Sequence, residues 1–241
     1  MKTAKRFAML AGLALALMAV LSFAGCNGKG GIAKAAPESD FEFELSDDGT
    51  FIALTKYKGN AKNLVIPETI QGLPVEVIYG FEKNKNIKSV VIPSSAKVIR
   101  GGAFTMCLSL EKVTLPEGLL YIEGLAFSQT GLASVTLPKS LEYLDFLAFT
   151  NCDNLSEINI PDDAAFLVKN ATECAVFLSE EYGFSDEQIA MSGEEIFSGS
   201  KINESVALQK KLKEIKCIDA GLSIKYYSKA KEKYKKYSPW I

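Results

Sequence analysis

The sequence predicts an α+β fold: a short solenoid of parallel β-strands, with about four coils of 22–23 residues, between an N-terminal β-hairpin cap and a C-terminal helical segment. Three observations predict it. An aliphatic-proline pair recurs through the middle of the chain, a phenylalanine recurs in phase with it, and segments without the repeat flank both sides. Because one unit of this length cannot bury its apolar side alone, the units must stack on one another.

The composition of the 241 residues excludes several functional classes. There is no histidine, which excludes Ser-His-Asp and Cys-His catalysis and any histidine-ligated metal. Beyond residue 25 the chain has 24 basic against 29 acidic residues, a net charge of −5, which argues against nucleic acid as a partner. We therefore expect no cofactor, no metal and no enzymatic activity.

The first 25 residues have the layout of a bacterial lipoprotein signal peptide, with a basic start and an uncharged apolar stretch over residues 7–23. The segment Phe23-Ala24-Gly25-Cys26 resembles a lipobox, which implies diacylation of Cys26. Residues 26–37 then form the lipidated cysteine and a Gly-rich flexible tether. A transmembrane anchor, or ordinary cleavage that leaves Cys26 unmodified, are the alternatives.

The segment after the tether alternates apolar and acidic residues and then turns. Phe41, Phe43 and Leu45 alternate with acidic residues, and an Asp-Asp-Gly turn at residues 47–49 leads to a second apolar run from Phe51. This pattern predicts a β-hairpin that caps the first coil, within residues 38–80.

The repeats keep several positions in phase. The aliphatic-proline pairs are Ile66-Pro67, Ile92-Pro93, Leu115-Pro116, Leu137-Pro138 and Ile160-Pro161, and the recurring aromatic residues are Phe81, Phe104, Phe127 and Phe149. In each unit a segment such as Val113-Thr114-Leu115 alternates inward apolar and outward polar residues, which predicts one short strand ended by proline. The phenylalanines should lie buried on the opposite side of each coil.

The best-matching unit extends from Ile99 through Ala103-Phe104 and Cys107 to Leu115-Pro116, and it resembles the BspA-type leucine-rich repeat of bacterial surface proteins. The resemblance implies a leucine-rich-repeat solenoid over residues 81–161. It also implies a protein-binding or adhesion function, because members of that family are commonly associated with attachment to host or partner proteins.

The cysteines of the repeats do not suit a disulfide. Cys107 and Cys152 occupy equivalent slots two repeats apart, so stacking separates their backbones by about 9.6 Å, beyond bridging distance. They are predicted to be small buried side chains. Cys174 and Cys217 lie outside the repeats, and the sequence leaves open whether they pair.

Residues 162–241 carry no aliphatic-proline pair and are predicted to be helical. Their charge is split, with nine acidic residues and one basic over 162–200 and eleven basic and four acidic over 201–241. The Lys- and Tyr-rich stretch 225–236 is either a patch for nucleic acid or anionic lipid or, as we favour, a solvated helix face.

A solenoid presents outward residues as columns, which are candidate partner-binding positions. The first column is Lys88, Lys112 (one step out of phase), Ser134 and Glu157; the second is Val91, Thr114, Thr136 and Asn159. A neighbouring column includes Tyr121 and Tyr143, which are either contact anchors for a partner or ordinary packed aromatics.

The leading hypothesis is a lipid-anchored, non-catalytic surface protein that binds a protein partner. Its localisation would be the outer membrane or cell surface rather than the inner membrane, since Asn27 and not Asp follows the lipidated cysteine. The alternatives are a periplasmic scaffold lipoprotein and a histidine-free hydrolase. Candidate carboxylates for the hydrolase cluster in one charged tract: Glu180, Glu181, Asp186, Glu187, Glu194 and Glu195.

Overall fold

The computed structural model describes residues 34–144, 147–160 and 236–237, and these form a parallel β-solenoid of about five turns of about 23 residues each. The sequence predicted about four coils. The described residues contain almost no helix, only a 3-10 turn at Glu38–Asp40 and a second at residues 236–237. The strands are β1 Phe41–Leu45, β2 Ile52–Tyr57, β3 Asn63–Val65, β4 Thr69–Ile70, β5 Leu73–Ile78, β6 Ser89–Val91, β7 Val98–Ile99, β8 Lys112–Thr114, β9 Tyr121–Ile122, β10 Ser134–Thr136, β11 Tyr143–Leu144 and β12 Glu157–Asn159.

The coils that begin with β6, β8 and β10 each have two strands, not the single strand that the sequence predicted. The second strand is only two residues long in these coils, as in Val98–Ile99, so it carries too little alternation to be recognised from the sequence. The prolines of these coils, Pro93, Pro116 and Pro138, lie between the two strands, where the chain turns and needs no N–H donor for a strand ladder.

The strands stack into a long sheet and two short ones. The long sheet has the order β1-β2-β5-β7-β9-β11, with β4 paired to β5. The short strands form β3-β6-β8 and β10-β12, and β8 lies beside β10. All pairs between successive coils are parallel.

The recurring phenylalanines are buried, as predicted, and their rings stack into a ladder through the core. Phe81, Phe104, Phe127 and Phe149 are at most 2% exposed, and their successive ring centroids are 4.8, 5.3 and 5.3 Å apart. The rings lie within 19° of parallel, since stacked coils place equivalent side chains one strand spacing apart. The ladder ends on Tyr57, whose ring centroid is 5.5 Å from that of Phe81.

The strands predicted as a hairpin pair antiparallel, β1 with β2, and β2 then pairs parallel with β5 of the first coil. The first unit has Gly80 before its phenylalanine, where later units have alanine. Gly80 has a φ of +87°, and a Cβ there would clash with the backbone carbonyl of Thr55. The close approach of the hairpin therefore requires glycine at this one repeat.

Several predictions fall outside the described residues. They are the signal peptide 1–25, the lipidated Cys26, the tether to residue 33, the helices of 162–241 apart from 236–237, the carboxylates proposed for a hydrolase, and Cys174 and Cys217. Among the residues that are described, none belongs to a helix long and apolar enough to cross a bilayer.

Candidate partner-binding surface

The short strands β3, β6, β8, β10 and β12 present two outward columns, which we call the strand face. Their central residues point inward, so Leu64, Val90 and Val113 belong to the core while the residues on either side of them face out. The first column is Asn63, Ser89, Lys112, Ser134 and Glu157, and the second is Val65, Val91, Thr114, Thr136 and Asn159. From β8 onward every residue of both columns is exposed.

The register corrects one predicted position. Lys112 pairs with Ser89 and is in phase, whereas Lys88 is the residue that lies off the column. Lys88 forms an ion pair of 3.4 Å with Glu111, its neighbour in the next coil. Counting four residues back from each proline gives Ser89 rather than Lys88, so the sequence contained the signal that identifies the correct member.

The strand face is rigid and weakly charged. Its columns are spaced by strand pairing, at about 4.8 Å per step, so five strands extend over about 19 Å. Most of its side chains are small or β-branched, and the Ser89 hydroxyl donates to Asn63 Oδ1 at 2.9 Å across two strands. Lys112 and Glu157 are the charged residues of the columns. Such a surface offers hydroxyl and amide hydrogen bonding with little side-chain entropy to lose.

The structure places Tyr121 and Tyr143 elsewhere, on the long sheet. They pair in register, with ring centroids 5.6 Å apart, and are 3% and 7% exposed. In this arrangement they are buried residues rather than surface anchors. Their role as partner-binding residues stays a prediction, and of these two faces the strand face is the exposed one.

The repeat cysteines are part of the hydrophobic core. Cys107 and Cys152 are buried, as predicted, and their thiols donate to the carbonyls of Phe81 and Phe127 at 3.0 and 3.1 Å. Burial raises the pKa of Cys107 to about 11 and also raises that of Cys152, so both are neutral thiols at pH 7. In the described part of the chain, no cluster of His, Cys, Asp or Glu could hold a metal ion.

The comparison with known families agrees with the geometry. Coils of about 23 residues with an inward apolar strand and a phenylalanine ladder define a leucine-rich repeat solenoid. Residues 77–180 match the family model of the BspA type leucine rich repeat region, in six copies, so this part of the chain is a BspA type repeat region. The match extends beyond residue 161, where the sequence placed the end of the repeats.

Solved leucine-rich repeat proteins are similar to about half of this chain. That of T. pallidum is 31% identical with a TM-score of 0.54, over 55% of this chain and 64% of that one, so the chain spans slightly less than two thirds of it. One from Bacteroides capillosus ATCC 29799 is 32% identical with a TM-score of 0.44, over 50% of this chain and 95% of that one. A leucine rich cell surface protein from Faecalibacterium prausnitzii A2-165 is 25% identical with a TM-score of 0.42, over 55% and 44% of the two chains. No curated protein matches the chain.

Proposed function

We propose that this protein is a lipid-anchored surface protein that binds a protein partner through its strand face, without catalysis. The observation that supports it most is the pair of outward columns over five strands, which are in register within β3-β6-β8 and within β10-β12. Leucine-rich repeat proteins are generally protein-interaction modules, which favours the same function. The absence of histidine from the sequence and the burial of both repeat thiols favour binding over chemistry.

The size of the strand face sets the expected strength of binding. A face of about 19 Å by about 10 Å is well below the roughly 800 Å² that each partner buries in a standard interface. A single site of this kind is weak. Display of many copies on one membrane would convert weak contacts into stable attachment, since a second contact then forms at high effective concentration.

The anchor in this proposal is the diacylated Cys26, with residues 26–37 as the tether. The tether joins the solenoid at its first coil, where the Ala36 N–H donates to the Val65 carbonyl at 2.9 Å. Ten extended residues reach at most about 35 Å, enough to hold a solenoid clear of lipid headgroups. Two acyl chains make such attachment stable rather than marginal.

The anchor is tested by Cys26→Ser. Incorporation of a clickable fatty acid and partitioning into detergent should both disappear in this variant, and labelling that persists would contradict lipidation at Cys26. Protease treatment of intact cells then separates surface display from the alternative of a periplasmic scaffold. The surface proposal expects the solenoid to be cleaved or released, whereas full protection would favour the scaffold.

The strand face is tested by adding bulk and charge to it. Thr114→Arg with Thr136→Arg should lower capture of biotin-labelled surface proteins by lipid-displayed full-length protein by about tenfold or more, as for loss of a central contact. The matched control is Met106→Arg with Gln129→Arg. These exposed turn positions also lie in equivalent slots, and the first unit already carries Lys83 there. Equal loss in both variants would place the binding site off the strand face.

A further inference from the structure

The long sheet also has a column of residues that point away from the main core, and this column is buried. We call it the outer stripe: Ala53, Val77, Val98, Tyr121 and Tyr143. Each pairs in register with the next, and all are at most 7% exposed. None belongs to the main core, which takes their neighbours Ile78, Ile99, Ile122 and Leu144 instead.

At the first coil, this face contacts Tyr237, which is distant from it in sequence. Tyr237 is 2% exposed, and its ring centroid is 5.1 Å from that of Phe51. Its hydroxyl donates to Glu76 Oε2 at 2.9 Å, across 161 positions of sequence. Phe51, like the stripe residues, lies outside the main core although it is fully buried. We call Phe51 and Glu76 the Tyr237 socket.

Lys236, the residue before Tyr237, adds a positive charge to the same contact. Lys236 Nζ lies 3.3 Å from Glu76 Oε2 and 4.5 Å from the centroid of the Tyr237 ring. It also helps to lower the pKa of Asp48, after the larger effect of the hydrogen bonds from Thr50 and Ser46. Burial and the hydrogen bond to Glu76 raise the pKa of Tyr237, which keeps its hydroxyl a donor. The socket therefore matches an aromatic residue that is preceded in sequence by a basic residue.

The positions of Ile160 and Lys236 in the solenoid indicate which segment of the chain buries the outer stripe. Ile160 follows β12 in the last described coil, whereas Lys236 contacts Glu76 of the first coil. From β2 to β11 the long sheet has four strand steps, about 19 Å. The 75 residues between Ile160 and Lys236 therefore connect the last described coil to the first.

We propose that the outer stripe is a docking surface for this chain's own C-terminal segment, anchored by Tyr237 in its socket. The sequence that ends in Lys236 and Tyr237 is strongly basic, with eleven basic against four acidic residues over 201–241, and the socket that receives it is acidic. The self-docked segment occupies the long-sheet face, so the strand face is the one left for another molecule.

The proposal is tested by tyrosine nitration of the full-length protein, read residue by residue by mass spectrometry. In the parent protein Tyr121 and Tyr143 should resist nitration, while Tyr79, which is 37% exposed, reacts and serves as the internal reference. Tyr237→Ala should raise the nitration of Tyr121 and Tyr143 about tenfold or more, because a buried aromatic anchor is lost. Circular dichroism confirms that the solenoid remains folded.

Charge reversal provides a variant that leaves the aromatic contact in place. Lys236→Glu should raise the nitration of Tyr121 and Tyr143 by about threefold, because it replaces an attraction at Glu76 by a repulsion. Combining it with Glu76→Lys should restore protection toward the parent level. Unchanged protection in both Tyr237→Ala and Lys236→Glu would overturn the proposal. Protection that is lost on dilution would also overturn it, because the occupant would then be a second copy of the chain.

Discussion

Within one coil, Val91 on the strand face is 38% exposed, whereas Val98 on the outer stripe is completely buried. Both are valines on short parallel strands, and both point away from the core. The strand face continues from Val91 into Thr114 and Thr136, while the outer stripe continues from Val98 into Tyr121 and Tyr143. The two faces share a backbone geometry and differ in the side chains that they carry outward.

This difference shows how a repeat protein separates surfaces for different purposes. Small hydroxyl side chains cost little to leave in water, so the strand face is stable while exposed. A column of valines and tyrosines left in water would be an apolar patch of the kind that associates with other surfaces. The outward residues therefore distinguish a face that is exposed to solvent from one that is buried.

The largest expected effect is a loss of stability when the hydrophobic core behind both faces is changed. Phe104→Ala should lower the free energy of unfolding by about 3 to 5 kcal/mol, because it removes a ring stacked on both sides in a core one coil wide. Urea titration measures this, with Thr114→Ala as the control at under about 0.5 kcal/mol. Equal losses in the two variants would mean that the phase of the repeat is misassigned.

The next largest effect is the difference in stability between variants of the outer stripe and of the strand face. Tyr121→Ala should lower the free energy of unfolding by about 2 to 3 kcal/mol, since its side chain is 3% exposed. Val91→Ala should cost under about 0.5 kcal/mol in the same titration. A Tyr121 variant as stable as the parent would show that the outer stripe is exposed in solution and would return Tyr121 to the candidate partner contacts.

The buried Cys107 thiol predicts that the free energy of unfolding depends on pH through a residue of the core. The pKa of Cys107 rises from its ordinary value of 9.0 to about 11 on folding. The neutral thiol is therefore favoured in the folded state, and its contribution is complete below pH 9 and lost as the pH rises toward 11. That loss is about 2 kcal/mol over this interval.

Cys107→Thr isolates this contribution, because Thr130 occupies the equivalent slot in the next unit. Urea titrations at pH 8 and pH 11 should show a smaller decline in the variant than in the parent, by about 2 kcal/mol. Identical declines would show that the thiol gains no protection from burial.

The smallest expected effect concerns Lys88, which the strand register shows to lie outside the first column of the strand face. Lys88→Ser should change the free energy of unfolding by under about 0.5 kcal/mol, because its ion pair with Glu111 is exposed on both sides. It should also leave partner capture unchanged, in contrast to Thr114→Arg with Thr136→Arg. A tenfold loss of capture would place Lys88 in the binding site despite its register.

The repeating features were predictable because they are local. Proline spacing and the phenylalanine period identified the coils, the ladder and the buried cysteine slots, and counting back from proline identifies Ser89 and Lys112 as partners. The burial of the outer stripe was not predictable in this way. A two-residue strand such as Tyr121–Ile122 has no measurable alternation, and the Tyr237 socket depends on a contact 161 positions away from Glu76.

Hydroxyl-radical footprinting of the full-length protein tests the difference between the two faces most directly. Val91 and Val98 are a matched pair, since they are the same residue type in consecutive strands of one coil. Oxidation should be readily detected at Val91 and at Thr114, and should be at background level at Val98 and Tyr121. Comparable oxidation of Val91 and Val98 would contradict the account, because both faces of the solenoid would then be open to solvent.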